Sequence, residues 1–489
     1  MQQQERSKML GTMPMNKLVP KVAVPIMISM LVQALYNVVD GIFVARYSAD
    51  AFTAVSLVFP VQMLMIAVST GLGVGINSLI SRRLGEKRGD AALDAAKNGI
   101  FLELCGVALF CLFGLFLSKV YMHLFTDDAN LQKLGEEYLF IVTVFCLGLF
   151  MSVVFERMLQ ATGNTTLSMA TQLLGAIVNI ILDPIMIFGL LGCPRMGIAG
   201  AAIATVIGQF CGMFLGFILN QTRNHELHLT LRPFFRPHGA VLTDILAVGI
   251  PSVVMQAISS VMNVLMNMIL LGFGNVAVNV LGAYFKLQSF VFMPVFGLSN
   301  GLVAIVGYNY GAHLRERVYA AVRVALRMAI VIMAVGMLLF MTIPQVLLSL
   351  FEAEGAGDLT AVGCPALRVI SLSFILAAVG ITLGTVFQAV GKGVYSLVNS
   401  LCRQLMVLAA RRVAAQPPGR PERGVVELPH RRGGIAGRVP AAVSPRGPHD
   451  AENPVTRHGL RKRPALSEGL ADAARRRACR VCAARAHRL

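Results

Sequence analysis

Acidic residues have little reason to lie inside apolar segments of membrane length, and this chain has two that do. The first segment, residues 22–46, reads VAVPIMISMLVQALYNVVDGIFVAR and carries Asp40 well inside it. A carboxylate at the centre of a membrane helix costs roughly 2.5–3.5 kcal/mol on insertion scales, so by default it marks an ion pathway, a proton relay or a substrate site. Gln33 and Asn37 precede Asp40 at i, i+4, i+7 spacing. At about 100° per residue the three fall within about 60° of arc, one polar stripe on a lipid-compatible helix. For the two amides alone, hydrogen bonding to a neighbouring helix is an equally good reading. The second acid, Asp183, lies in NIILDPIMIFG, with Asn179 one turn before it and Pro184 directly after. Pro184 has no N–H, so the carbonyl of Ile180 is left without its helical partner. A carboxylate, an amide oxygen and a loose carbonyl make an oxygen cage for a hard cation or a proton relay. The bland alternative is a proline kink with Asp183 capping it at the membrane edge.

The elements that must position these residues follow from composition. The chain has 489 residues, 56% hydrophobic and 14% charged, with a mean hydropathy of +0.68. A soluble domain is nearer 45–50% apolar and about 25% charged. Apolar runs recur at 22–46, 53–80, 96–120, 136–158, 168–191, 198–220, 245–272, 278–306, 321–350 and 361–387, with a partial eleventh at 395–410. Runs of this length predict an all-α polytopic membrane protein. Residues 1–21 are polar and basic, without the apolar core or cleavage site of a signal peptide, so the first span is expected to act as an uncleaved anchor. Arg6, Lys8, Lys17, Lys21, Arg82, Arg83, Lys87, Arg88, Arg223, Arg232, Arg236, Arg315, Arg317 and Lys392 fall on one side, and chiefly Arg46, Lys119, Lys133 and Arg195 on the other. The imbalance places the N-terminus in the cytoplasm.

The chain also repeats itself. At an offset of 226, Pro25 matches Pro251, Asn37 matches Asn263, Phe59 matches Phe285, and Gly71, Leu72 and Gly75 match Gly297, Leu298 and Gly301. At an offset of 228, Gln160-Ala161-x-Gly163 matches Gln388-Ala389-x-Gly391. Six spans separate equivalent points. Six is even, so two parallel six-helix bundles are expected, related by a pseudo-two-fold along the membrane normal around a shared cavity. The domains are then a cytoplasmic N-terminus (1–21), an N-lobe (22–220), a cytoplasmic loop (221–244) containing Arg-Pro-Phe-Phe-Arg-Pro, a C-lobe (245–410) and a tail (411–489). At the position matching Asp40 the second lobe has Met266, so the acid site is expected to be asymmetric and confined to the N-lobe.

The tail breaks the pattern. It is rich in Arg, Ala, Pro and Gly, holds 18 Lys+Arg against 6 Asp+Glu, and supplies +12 of the formal +18. With the charge so localised, a nucleic-acid role is excluded for the rest. Symmetry asks for a twelfth span here, and the eleventh stops at about 16 residues, short of the usual 17–25. The tail therefore reads as out-of-frame translation beginning near codon 411; the alternative is a genuine disordered cationic tail. The nine cysteines are scattered, and the close pair Cys479 and Cys482 lacks a second ligand pair, so no metal site is expected. Gly71, Gly73 and Gly75 resemble a phosphate loop only superficially and are read as close helix packing. No Walker motif occurs. Glu103 and Glu156 are expected near cytoplasmic helix ends, snorkelling to water. Abundant Met and Phe would suit an adaptable apolar pocket.

PIMISMLVQALYNVVDGIFVA, GVGINSLISRRLGEKR, LQATGNTT and NIILDPIMIFG together resemble the MATE family of multidrug and toxic compound extrusion transporters, nearest its bacterial MepA-like and DinF-like branches, over residues 15–410. The resemblance implies twelve helices in two lobes. It implies efflux of amphipathic or cationic compounds, driven by inward H⁺ or Na⁺, by a monomeric secondary transporter in a lipid bilayer with no other cofactor and no enzymatic step. It assigns cation coupling to Asp40, Asn179 and Asp183, with Thr205 in GAAIATVIGQ as the sixth-span oxygen ligand and Na⁺ as a possible occupant. Gln33, Tyr36, Asn37, Gln256 and Asn263 are the cavity-lining candidates. Spans seven and ten carry no central acid, so the family branch that uses acids in the second lobe is not matched. Two alternatives stand beside efflux. One is a flippase for lipid-linked precursors, for which the span interiors are poor in Arg and Lys apart from Lys286 and Arg368. The other is a truncated, non-transporting product.

Overall fold

A computed structural model describes residues 6–227, 237–271, 275–349 and 359–414. Every regular element among them is a helix, as the lipid demands: a helix satisfies its own backbone N–H and C=O groups where no water can. The chain opens with a short helix α1 (Arg6–Thr12), followed by α2 (Met15–Tyr47), α3 (Ala49–Gly85) and α4 (Gly89–Phe125). Then come α5 (Ala129–Val144), α6 (Leu147–Ala161), α7 (Thr165–Phe188) and α8 (Ile198–Arg223). The second half holds α9 (Gly239–Leu271), α10 (Asn275–Gly311), α11 (Arg315–Thr342), α12 (Pro344–Ser349), α13 (Leu359–Ser371), α14 (Ser373–Ala389) and α15 (Gly393–Ala414). Among the described residues, eight single helices are long and apolar enough to cross a membrane, and two bent pairs bring the number to ten. These are the ten full spans expected. α15 takes the place of the partial eleventh.

Boundaries shift where local chemistry overrides hydropathy. Residues 15–21, expected in the polar N-terminus, already belong to α2, which runs through Pro20 and Pro25. The expected loop at 221–244 shortens at both ends, and most of its Arg-Pro-Phe-Phe-Arg-Pro lies outside the described residues, as do 415–489 of the tail. The ninth span breaks at Ile343, because Pro344 cannot continue the ladder. The fourth span is α5 and α6, bent by 42°, and the tenth is α13 and α14, also bent by 42°. Neither break holds a proline. Hydroxyl side chains instead bond back to preceding carbonyls: Thr143 Oγ1 to Leu139 at 2.6 Å, Ser371 Oγ to Arg368 at 2.9 Å and Ser373 Oγ to Ile370 at 2.7 Å. Such bonds compete with the helical ladder.

The matching bends show the repeat in three dimensions, and so do the turns that follow. α6 and α14 both end in a glycine in the left-handed region, Gly163 at φ 81° and Gly391 at φ 85°. In each, that glycine's N–H returns to the carbonyl of the matched glutamine, Gln160 or Gln388, at 3.0 and 3.1 Å.

Two bundles result. In the first, α7 packs on α8 and α2, α6 on α8, and α3 on α4, α5 and α6; in the second, α10 and α14 pack on α11, and α15 on α14 and α9. Between bundles, α3 packs on α9, and α10 on α2 and α3. The closest of these contacts lie toward one end. A Cβ on Gly71 would stand 2.8 Å from the Val253 nitrogen, one on Gly297 2.7 Å from Met27 Cα, and one on Gly85 would collide with the Tyr308 carbonyl. Ser78 Oγ donates to the Gln388 carbonyl at 2.7 Å, and Gln388 Nε2 to Ser252 Oγ at 3.1 Å. Except for Gln388 at the end of α14, these positions fall in the halves of α2, α3, α9 and α10 nearest the α3–α4 and α10–α11 connections. Toward the opposite end, Leu35, Val38, Ile42, Phe52 and Phe59 are exposed. The glycines read as packing residues do pack: Gly71 and Gly75 join the bundles, and Gly73 lies against Val153 and Arg157 within the first.

α1 straps the closed end. Asn309 Nδ2 donates to the Leu10 carbonyl at 2.9 Å and Arg317 Nη2 to the Met13 carbonyl at 2.8 Å. The Ser7 amide donates to Glu226 Oε1, beyond α8, at 3.2 Å. Burial holds the Glu226 carboxyl above the usual glutamate range, against the opposing pull of its bonds with Ser7. A value raised in the folded state favours folding below the ordinary glutamate range, and that contribution is lost as pH rises through the raised value. The wild-type melting midpoint in detergent should therefore fall from acidic to neutral pH relative to Glu226→Gln, which lacks the titration; parallel curves would contradict the assignment. Gly163→Ala and Gly391→Ala force Cβ into the left-handed region at about 1–2 kcal/mol each. Both should lower the melting midpoint, Gly391→Ala more, because its Cβ also meets the Arg82 guanidinium.

Candidate functional site

α7 and α8 approach closely because glycines face each other. Gly208 lies against the Gly175 carbonyl, and a Cβ there would sit 3.2 Å from Asn179 Cβ. Small residues at a helix contact let backbones meet and bring polar side chains within hydrogen-bond reach. Asn179 Nδ2 accordingly donates to Thr205 Oγ1 of α8 at 3.2 Å and to Asp183 Oδ1, one turn on, at 3.3 Å. Asp183 is fully buried and α7 continues past Pro184 to Phe188, ending at left-handed Gly189. Asp183 is therefore no cap at a membrane edge.

α2 supplies the other acid. Its end is pinned to α7 by Phe43 and Tyr47, each with its ring centroid 6.5 Å from Phe188. One turn before, the Asp40 carboxyl faces that of Asp183 at interaction range. The Tyr36 hydroxyl, one turn before Asp40, meets Thr205. The structure thus brings Asp40, Asn179, Asp183 and Thr205 together from three helices and adds Tyr36, expected only as a cavity-lining residue. The polar stripe of α2 does not share one environment. Gln33 and Asn37 are exposed, whereas Asp40 is largely withdrawn and its Oδ1 fully buried, because the margin between the α7 contact and the open side of α2 runs through the stripe. Gln256 is also exposed and accepts a hydrogen bond from Thr70 Oγ1 of α3 at 3.0 Å. The side chain of Asn263 lies outside those described.

Two neighbours went unread. Tyr138 of α5 is buried within electrostatic reach of Asp40, Asp183 and Tyr36, and its hydroxyl accepts from Gln62 Nε2 of α3 at 3.0 Å. An amide in the middle of the second span was the available signal. Glu103 and Glu156 do not snorkel: they are 0% and 6% exposed, because each faces into the first bundle beside Arg157, itself 4% exposed. The interiors are therefore less poor in arginine than expected. In the second bundle, Met266, the counterpart of Asp40, packs against the apolar core.

Three buried oxygens at the site have no hydrogen-bond donor: Asp40 Oδ1, Asn179 Oδ1 and Asp183 Oδ2. Buried polar atoms are normally paired, and each orphan calls for an explanation. Two facing carboxyls in a poorly solvated pocket require positive charge between them. An acceptor-rich, donor-poor set of hard oxygens fits a proton or an alkali cation, not a soft metal.

The comparisons agree with this architecture. The sequence profile of the MatE family matches twice, over residues 25–185 and 251–410, one match per bundle. The chain belongs to the MatE family of membrane transporters. The multidrug export protein MepA of Staphylococcus saprophyticus is 26% identical over 387 residues, covering 79% of this chain and 84% of that protein. A probable multidrug resistance protein NorM of Thermotoga maritima is 30% identical over 342 residues, covering 68% and 72%. A solved outward-facing conformation of a multidrug resistance MATE family transporter superposes with a TM-score of 0.77 at 27% identity, covering 82% of this chain and 88% of that one. A MOP superfamily transporter from Pyrococcus furiosus, described as having a binding pocket of reversed polarity that suggests a different function, gives 0.77 at 28% identity, covering 82% and 89%.

Thr205→Ala removes the hydroxyl that meets both Asn179 and Tyr36, a loss of at least one neutral hydrogen bond worth about 0.5–1.5 kcal/mol, and should weaken cation binding by about twofold or more, whereas Asp183→Asn should abolish it. Calorimetric Na⁺ titration at fixed pH, and proton uptake read with a pH dye, measure both. Unchanged binding in Asp183→Asn would remove the site from consideration.

Proposed function

We propose that the protein is a cation-coupled multidrug efflux antiporter, exporting small amphipathic or cationic molecules in exchange for inward H⁺ or Na⁺. The observation that carries this reading is the convergence of three orphaned buried oxygens, from Asp40, Asn179 and Asp183, beside the open side of the first bundle. The names of the relatives support the substrate class. The lobes are residues 22–220 and 245–410, as the repeat divides them, and the chain works as a monomer in the bacterial inner membrane with its N-terminus in the cytoplasm. On that orientation the contacts joining the lobes close the cytoplasmic side, and the space between them opens outward.

The mechanism follows from charge. A cation entering from outside offsets one of the two charges of the Asp40–Asp183 pair and is held by Asn179 and Thr205. α2 spans both the coupling site and the lobe interface, where Ala23 and Met27 meet Gly301 and Gly297. A charge change at Asp40 is thus transmitted along α2 to the contacts that must part for inward opening. A two-state equilibrium can be shifted only by differential affinity of this kind. Asp40→Asn should abolish efflux of a fluorescent cation from cells while leaving membrane expression intact. Varying pH and Na⁺ independently in proteoliposomes identifies the ion. Undiminished efflux by the Asn variant would sink the proposal.

A further inference from the structure

Gln62 of α3 marks the level of the Asp40 site, and seven residues on, toward the closed end, Ser69 lies on the same face. At 1.5 Å per residue that is about 10 Å. Ser69 is fully buried, and so is Glu103 of α4; Glu156, Arg157 and Gln160 of α6 and Ser168 of α7 are also buried. Most of this second cluster is tightly bonded. Arg157 Nη1 donates to Gln160 Oε1 at 2.9 Å, and Gln160 Nε2 donates to Glu156 Oε1 at 2.6 Å and to Ser168 Oγ at 3.0 Å. Glu103 is the exception. It interacts with the Ser69 hydroxyl and, over a longer distance, with Arg157, yet neither of its carboxyl oxygens completes a hydrogen bond, nor does Arg157 Nε. Among the described residues no ion pair within 4 Å joins them. α5 and α9, which also pack on α4, bring no charged group to Glu103.

Charge counting gives this arrangement its meaning. Two buried carboxyls share one guanidinium, so Arg157 can neutralise only one of them. Glu156 already receives amide hydrogen bonds, which leaves Glu103 with an unmet need for one positive charge. Among the described residues no group of three or more His, Cys, Asp or Glu side chains gathers there to hold a metal ion, and a proton needs none. We propose that Glu103 is a second proton-binding site of the first bundle, through which the coupling proton leaves the Asp40–Asp183 pair toward the cytoplasmic end. The inference rests on the proton-coupled form of the function proposed above. In the step, an O–H bond of the outer carboxyl pair breaks and one forms on Glu103 carboxylate, by way of water and the Ser69 hydroxyl. Glu103 then releases that proton inward and returns to a carboxylate facing Arg157. One proton enters and one leaves, with no change of oxidation state.

Glu103→Gln keeps the shape and removes the titration. Infrared difference spectra of the full chain in lipid, recorded across pH, should lose one protonated-carboxyl band in this variant, distinct from the bands lost in Asp40→Asn and Asp183→Asn. Dye transport driven by a proton gradient should fall at least tenfold and its pH profile flatten, at an unchanged melting midpoint, with Glu103→Asp restoring part of both. An unchanged infrared spectrum, or a wild-type pH profile in Glu103→Gln, overturns the proposal. If Glu103→Gln does not fold, Glu103→Asp carries the test: its band must shift in position, and an unshifted band overturns it. Driven transport that survives Asp40→Asn refutes the function proposed above instead, and the infrared band still decides whether Glu103 binds a proton.

Discussion

A carboxylate taken out of water must be given another source of positive charge, and the first bundle is organised around that requirement. Asp40 and Asp183 come from helices far apart in the chain and meet where neither can be solvated by the other. Packing that depends on small residues makes the meeting possible. Gly175 and Gly208 let α7 and α8 touch, which sets Asn179 against Thr205, while Phe43, Tyr47 and Phe188 fasten α2 alongside. The orphaned oxygens are thus held in place by apolar contacts that do not depend on what occupies the site. In the function proposed above, a cation entering such a pocket would offset the cost of its unpaired oxygens, and occupancy would bias conformation.

The two bundles share a backbone plan and differ in what fills it. Both have a bent span at the same place in the repeat, and both close the following turn with a left-handed glycine on the same hydrogen bond. The first bundle then invests its interior in carboxyls, amides and a guanidinium. The second closes on aromatic rings, with Phe374 at 5.2 Å from Phe292 and 5.3 Å from Phe340, and on Met266 where the first has Asp40. Symmetry of fold and asymmetry of charge together suit a machine in which one half responds to an ion while the other gives it a surface to close against.

That surface is made of glycine contacts and few polar bonds. Gly71, Gly75 and Gly85 of α3 and Gly297, Gly301 and Gly311 of α10 bring backbones together, and Leu18, Val19 and Val22 of α2 share a buried apolar cluster with Leu298 and Leu302 of α10. Among the hydrogen bonds across it, Ser78 to Gln388 and Gln388 to Ser252 use groups that water can replace when the surfaces part.

The amino-acid sequence by itself determined the ten full spans, the repeat and the polar residues Asp40, Asn179 and Asp183 within them, and the family resemblance added Thr205. Hydropathy, spacing and proline or glycine position are local properties that the lipid and the backbone read directly. Tertiary structure decided which side of each helix faces what. It split the α2 stripe, leaving Gln33 and Asn37 exposed while turning Tyr36 and Asp40 inward. It recruited Tyr138 and Gln62, and it buried Glu103 and Glu156, which hydropathy placed in reach of water. The reason is physical. The burial of a polar side chain depends on the helices packed around it, and those come from sequence positions a hundred or more residues away.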